Sequence, residues 1–269
     1  MTGRDTEDEL ADAYNAALAH EKAGRLDEAE QAYRRVLALD PEDHGGAVIR
    51  LAAMGRGAAP VRAPEAYVET LFDQHADAFE HILVDQLGYH VPLILNDALK
   101  AHAPGPYARM LDLGCGTGLA GVALSGITHH RTGIDLSANM IDIAGENELY
   151  DELYVGDAIA FVEEIEDEAP WDLVVATDVL PYLGEVRQLF AGVKRVSAPD
   201  AVFAFSTERL DGKAATYAVG PHQRFHHGLK YLERELDSAG FRVLHVQDIT
   251  VRHEEGEPQP GHMVIARAA

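Results

Sequence analysis

The stretch LDLGCGTGLAG, residues 111–121, constrains this chain more than any other. An apolar run ends at Gly114, glycine recurs at Gly116 and Gly118, and the small residues that follow suit the first turns of a helix. A strand that feeds a helix through a glycine turn opens a βαβ unit, and the missing Cβ atoms let a ligand approach the backbone. Two spacings overlap here. Gly116, Gly118 and Gly121 fit G-x-G-x-x-G, whereas Gly114, Gly116 and Gly118 fit G-x-G-x-G.

Downstream residues keep the same rhythm. Apolar runs at 109–113, 131–135, 152–156, 172–177 and 201–206 alternate with helical patterns near 118–125, 137–147, 158–166, 183–196 and 228–239. This alternation predicts an α/β fold, a parallel sheet covered by helices on both faces. At the end the rhythm fails: strand-like segments 241–251 and 262–267 follow one another through HEEGEPQPG, and are expected to pair as an antiparallel hairpin on the sheet edge. Ahead of the sheet, a stripe through Val68, Leu71, Phe72, Phe79 and Leu83 predicts a helix over Ala66–Leu83, and a second is expected over Pro92–His102.

Residues 10–43 read as a helical hairpin broken at Gly24-Arg25 and stopped by Asp40-Pro41. Gly24, Ala29, Tyr33, Leu39 and Pro41, in AGRLDEAEQAYRRVLALDP, resemble a tetratricopeptide repeat, although Ala13, Ala16 and Ala17 replace its early aromatic and Leu-Gly positions. A second unit starts at Glu42 and breaks off at Met54. One and a half repeats leave an apolar face uncovered, so the module has to dock: as a cap on the main domain, as a groove for a partner peptide, or as a dimer contact. The expected organisation is a helical module over 1–56, a linker over 57–64 within GRGAAPVRAP, and a domain over 65–269 that begins with a helical lid region at 65–103.

Charge narrows the ligand. With 22 basic and 45 acidic residues the net charge is -23, and no Lys/Arg run appears, so nucleic acid is disfavoured against a small molecule or a protein. MTGRDTEDEL lacks the apolar segment of an export signal and nowhere do eighteen apolar residues run together, which predicts neither export nor a membrane span. Cys115 is the single cysteine, which excludes an intramolecular disulfide or a cysteine-based zinc site and suits a cytoplasmic protein. The adjacent pairs His129-His130 and His226-His227 do not have metal-ligand spacing, and no metal is expected.

Open α/β sheets bind ligands at the carboxyl ends of their strands, so the residues just after each run carry the information. Gly114 is the turn glycine, and Thr117 is expected to help cap the next helix. Asp135, in TGIDLS, suits both hydroxyls of a ribose under either glycine spacing and thus points to an adenosine. Asp157, in VGDA, suits an adenine amino group or a helix N-cap. TDVLPYLG puts Asp178 and Tyr182 at the mouth of the site. Cys115 reads as a small filler rather than as a nucleophile.

LDLGCGTG, GIDLS, GDA and WDLVVATDVLPYL, in that order, resemble the motifs of class I S-adenosylmethionine (SAM)-dependent methyltransferases over residues 65–269. The whole chain, with YVETLFDQHADAFEHILVDQLGY, is similar to predicted methyltransferases that carry a tetratricopeptide repeat. The resemblance implies a Rossmann-like seven-stranded sheet with an antiparallel last strand beside a small α-helical module, with SAM as cofactor. It also implies that Asp112 and the loop of Gly114, Cys115, Gly116 and Gly118 face the methionine part, Asp135 the ribose and Asp157 the adenine, with Leu136, Met140, Ala158, Asp178 and Tyr67 completing the cofactor set. The competing NAD-dependent oxidoreductase reading loses ground because no Tyr is followed four residues later by Lys.

Tyr67, Phe72 and Phe79 are candidates for an aromatic lid over a sulfonium, with Phe72 and Phe79 equally readable as core; the resemblance adds His75 to the lid. TERLDGKAATYAVGPHQRFHHG, residues 207–228, is too long for a simple connection and is expected to meet the methyl acceptor. Within and beside it, Tyr217, His222, His226 and Tyr182 are the catalytic candidates, and Arg224 could orient an acidic acceptor. The acceptor is expected to be a small molecule or a protein. A SAM-binding scaffold that recruits a partner through its helices is the alternative from a different class.

Overall fold

The computed structural model describes residues 3–166, 169–212 and 216–269; 1–2, 167–168 and 213–215 lie outside the described residues. Helices α1 (Gly3–Lys22) and α2 (Leu26–Leu39) form the expected hairpin, followed by the short α3 (Ala47–Ala53). Ala13, Ala17 and Ala29 allow a close approach around the buried ring of Tyr33, whose hydroxyl donates to Glu21. Asp43 starts α3: its carboxylate accepts from the Ala47 and Val48 amides at 2.6 and 2.9 Å. The uncovered face lies on the rest of the molecule. Ile49 is fully buried and clusters with Ala63 and Phe225, a burial that stabilises the docking by about 2–3 kcal/mol.

The stripe over 66–83 is not one helix. Helix α4 (Glu65–His75) passes into a 3₁₀ turn at Ala76–Ala78 and a wide π-type turn at His81–Gln86 before α5 (Val91–His102). None of α4 is fully buried, so no flat core surface enforces its winding, and the changes of pitch bring Phe79 over Gly116 and bury Leu83.

Strands β1 (Tyr107–Leu113), β2 (Thr128–Asp135), β3 (Glu152–Val155), β4 (Trp171–Ala176) and β5 (Ser197–Arg209) alternate with α6 (Leu119–Leu124), α7 (Ala138–Glu146), α8 (Ala158–Glu164) and α9 (Arg187–Val196). They pair in parallel in the order β3-β2-β1-β4-β5. After β6 (Tyr217–Val219), β7 (Phe225–His227) and α10 (Leu229–Ser238), the hairpin of β8 (Phe241–Glu254) and β9 (Glu257–Ala268) closes the sheet, with β9 antiparallel to β5. Pairing continues to Glu254–Glu257, so HEEGEPQPG is strand apart from Glu255 and Gly256, both at positive φ, the backbone of a tight two-residue hairpin.

Among the described residues the sheet has nine strands, not seven. The extra pair is β6–β7, inside the long connection expected to meet the methyl acceptor, and it hydrogen-bonds to the overhanging end of β5 at Glu208 and Arg209. Three-residue strands are too short to leave a readable alternation. Two apolar layers flank the sheet: Trp171, Val174, Phe190, Phe203, Phe205 and Leu232 on one face, Leu95, Leu99, Met110, Leu173, Val175 and Ile265 on the other. Strand order reverses between β1 and β4, and a crevice opens there at the strands' carboxyl ends.

Candidate cofactor cleft and adjoining chamber

The crevice is a cleft, open at its mouth and walled by the glycine loop, by the residues that follow β2, β3 and β4, and by Phe72 and Phe79 of the segment ahead of α5. Gly114 takes φ 65°, and a Cβ there would stand 2.5 Å from Val179 Cγ2, so only glycine fits the turn. A Cβ on Gly116 would meet only Phe79, at 3.7 Å, so the backbone there borders open cleft. Asp135 ends β2 and ties the loop: its carboxylate accepts from the Gly116 and Ser137 amides, each at 2.9 Å. Burial pushes the Asp135 carboxyl up, and those amides pull against it. Asp157 accepts from the Ala160 amide at 2.9 Å as the N-cap of α8, and its other oxygen pairs with Arg62 Nη1 at 3.4 Å.

Cys115, Leu136, Ala158, Asp178 and Tyr182 also line the cleft. Four residues expected against the cofactor do not. Asp112 is fully buried beneath the loop because alternate positions of β1 turn away from the cleft; its carboxylate accepts from the Tyr150 hydroxyl at 2.6 Å, and burial pushes it up to about 7. Gly118, at φ 103°, is the N-cap of α6 and packs on Tyr150. Met140 is buried in the core under α7. Tyr67 lies over Gly46, where a Cβ would come within 2.7 Å of the ring, and lines a different cavity. Thr117 is no cap either, since its hydroxyl donates to Glu80 at 2.8 Å. Cys115 is buried, and burial pushes its thiol up, which leaves it without thiolate character.

That other cavity adjoins the cleft and shares with it Phe72, Phe79, Leu83 and Tyr182 as a common wall. Its polar lining consists of Arg50, Tyr67, His75, His222, Gln223, Arg224, Arg252 and Glu254. Of the acceptor-side candidates, His222 and Arg224 reach it. Tyr217 does not: its ring is packed among Phe225, His227 and Tyr231. His226 is turned to Glu208, 3.0 Å away.

Beside the wall lies a buried knot of charge. Arg224 donates from Nε to Glu208 at 2.5 Å, from Nη1 to the Tyr182 hydroxyl at 2.7 Å, and from Nη2 to Asp178. Arg252 pairs with Glu254 at 2.6 Å and stands 3.6 Å from both Asp178 and Glu208. Asp178, at φ 63°, occupies a left-handed conformation that costs a non-glycine residue about 1–2 kcal/mol. Its carboxylate therefore serves the knot, and only its place at the end of β4 puts it on the cleft. Burial pushes the Glu208 carboxyl up, but Arg224, His226 and Arg252 outweigh it and hold it at about 2. Burial pushes the Tyr182 phenol up to about 12 against the pull of Arg224. Sequence reasoning missed Glu208, Arg252 and Arg50. Its one usable signal was a charge at the end of an apolar strand run, in VFAFSTER and ITVRHE, where burial demands a partner.

Residues 111–203 match the protein family described as a methyltransferase domain, and residues 11–43 match the tetratricopeptide repeat. Residues 111–203 thus carry a methyltransferase domain on a Rossmann-like sheet, behind a tetratricopeptide-like hairpin. It is similar to the ubiquinone biosynthesis O-methyltransferase of Rickettsia akari, 27% identical over 112 residues, 42% of this chain and 44% of the relative. A shorter stretch of 48 residues is 48% identical to an 18S rRNA (guanine-N(7))-methyltransferase of Arabidopsis thaliana, covering 18% of this chain and 17% of that one. Each match spans less than half the length of the curated relative. Among solved structures, the fold is similar to that of the methyltransferase complexed with the Haloferax volcanii Trm112 methyltransferase activator, with TM-score 0.58 at 17% identity over 73% of this chain and 97% of that one. Among the described residues, no helix is long and apolar enough to cross a membrane.

Proposed function

We propose that this methyltransferase domain transfers a methyl group from SAM, held in the cleft, to a small-molecule acceptor that enters through the adjoining chamber. The supporting observation is the bare backbone of Gly114–Gly116 beside the Asp135 carboxylate, at the switch point of the sheet. Bound there, SAM supplies a methyl group already activated on a sulfonium. Asp135 accepts from the ribose hydroxyls, and Asp157 holds the adenine end while its other oxygen caps α8. Phe72, Phe79 and Tyr182 exclude water from the shared wall and offer ring faces to a cation, worth about 0.5–2 kcal/mol. Alignment of acceptor and methyl across that wall lowers the barrier by up to about 7–11 kcal/mol. With its phenol at about 12, Tyr182 stays protonated at neutral pH, so it acts as a hydrogen-bond donor and not as a base. The Rickettsia akari relative is named for O-methylation; a hydroxyl acceptor here would lose its proton to His222, which lines the chamber.

Isothermal calorimetry with S-adenosylhomocysteine, and with NAD as control, tests the reading. Micromolar binding of the first and none of the second is expected, followed by transfer of label from SAM to a small-molecule fraction. Binding of NAD alone would overturn it.

A further inference from the structure

We propose that the chamber takes an acceptor with an apolar body and a single carboxylate, and that Arg50, delivered by the N-terminal helices, is the residue that selects for the carboxylate. The proposal rests on the methyl-transfer reading above. Leu71, Phe72, Phe79 and Ile82 give the chamber an apolar side large enough for a metabolite-sized body. Its three arginines are unequal. Arg224 and Arg252, each with a side chain 7% exposed, face Asp178, Glu208 and Glu254. Two guanidinium groups against three carboxylates leave that corner with no positive charge for a ligand. The Arg50 side chain is 22% exposed and, among the described residues, has one carboxylate partner, Glu21, at 3.2 Å, besides a hydrogen bond with the Tyr14 side chain. Glu21 in turn is also held by the Tyr33 hydroxyl. A guanidinium has five N–H donors, so Arg50 keeps enough for a paired contact with a carboxylate.

Arg50 is also held in place. Asp43 caps the helix that bears it, Ile49 next to it is fully buried, and Tyr67 packs on Gly46 at the start of that helix. The carboxylate thus sits at the α3 end of the chamber, and the apolar body extends toward the wall at Tyr182. On this reading the tetratricopeptide-like module is a wall of the acceptor site.

The test uses 3-phenylpropionate and its neutral amide, titrated by calorimetry into the full chain with and without S-adenosylhomocysteine. The acid should bind at least about tenfold more tightly than the amide, and Arg50→Gln should bring the two within about twofold while S-adenosylhomocysteine affinity stays unchanged. Should a melting curve show that Arg50→Gln does not fold, Arg50→Lys replaces it; there the acid should weaken several-fold, because an ammonium group cannot make the paired contact. Equal binding of acid and amide, binding of neither, or a preference that survives these substitutions would overturn the proposal. A chain that prefers the acid but ignores S-adenosylhomocysteine would instead defeat the methyl-transfer reading alone.

Discussion

The two cavities on either side of the aromatic wall are built in opposite ways. The floor of the cleft is backbone, from short loops at 114–117, 135–136 and 156–158 that each follow a strand, tied by the Asp135 carboxylate to amides two and nineteen residues away, with the side chains of Val68, Phe72, Phe79, Leu83 and Tyr182 set against it. The chamber is mostly side chains, drawn from α3, α4, the β6–β7 hairpin and β8. Backbone geometry suits a ligand that never changes, whereas side chains can be exchanged singly without disturbing the fold. Under the proposed function, the difference separates a fixed cofactor site from an adjustable acceptor site.

Substitutions on one side should therefore leave the other intact. The largest effect is expected for Glu208→Gln, which strips the buried knot of a charge shared by Arg224, Arg252 and His226. Urea denaturation should show a loss of about 3–5 kcal/mol, while the folded fraction binds S-adenosylhomocysteine nearly as before. Because Glu208 is held at about 2 against an ordinary 4.5, its stabilisation is complete above pH 4.5 and is lost as pH falls toward 2. The variant should lack that acid-sensitive component. Asp135→Ala should do the converse, weakening S-adenosylhomocysteine about 100-fold in calorimetry with a stability loss of only about 1–2 kcal/mol.

Asp112→Asn sharpens the comparison beneath the cleft. With the folded carboxyl at about 7 and the ordinary value at 3.8, the unfolded chain loses this proton first as pH rises, so wild-type stability falls between about pH 4 and 7 and then levels off. Melting curves of the variant should lack that decline, leaving it on the order of 2 kcal/mol more stable than wild type at pH 8. Gly114→Ala, which strains φ 65° and presses on Val179, should cost about 1–2 kcal/mol of stability and weaken the cofactor analogue roughly 5–30-fold.

The same contrast decides what a reader of the sequence can see. Gly114, Gly116 and Asp135 are legible because strand, turn and ligand-facing residue are neighbours in the chain. Asp112, Gly118 and Met140 belong to the same motifs yet serve the packing below the loop; no motif distinguishes the side of a strand or helix that meets ligand from the side that meets core. The chamber was almost illegible. His222 and Arg224 stood out only as polar residues in a long connection, and Glu208, which pairs with Arg224, and Arg252, which shares that carboxylate, lie on strands whose register cannot be read from local pattern. Arg50 sits in a repeat whose usual employment points elsewhere. The nine-stranded sheet escaped for a simpler reason, the shortness of β6 and β7.

Arg50 and Glu254 line one chamber although about two hundred positions separate them along the chain. During synthesis the glycine loop and its strands leave the ribosome well before the tip of the β8–β9 hairpin does. The loops that floor the cleft are thus made well before β8, which supplies the last wall of the chamber.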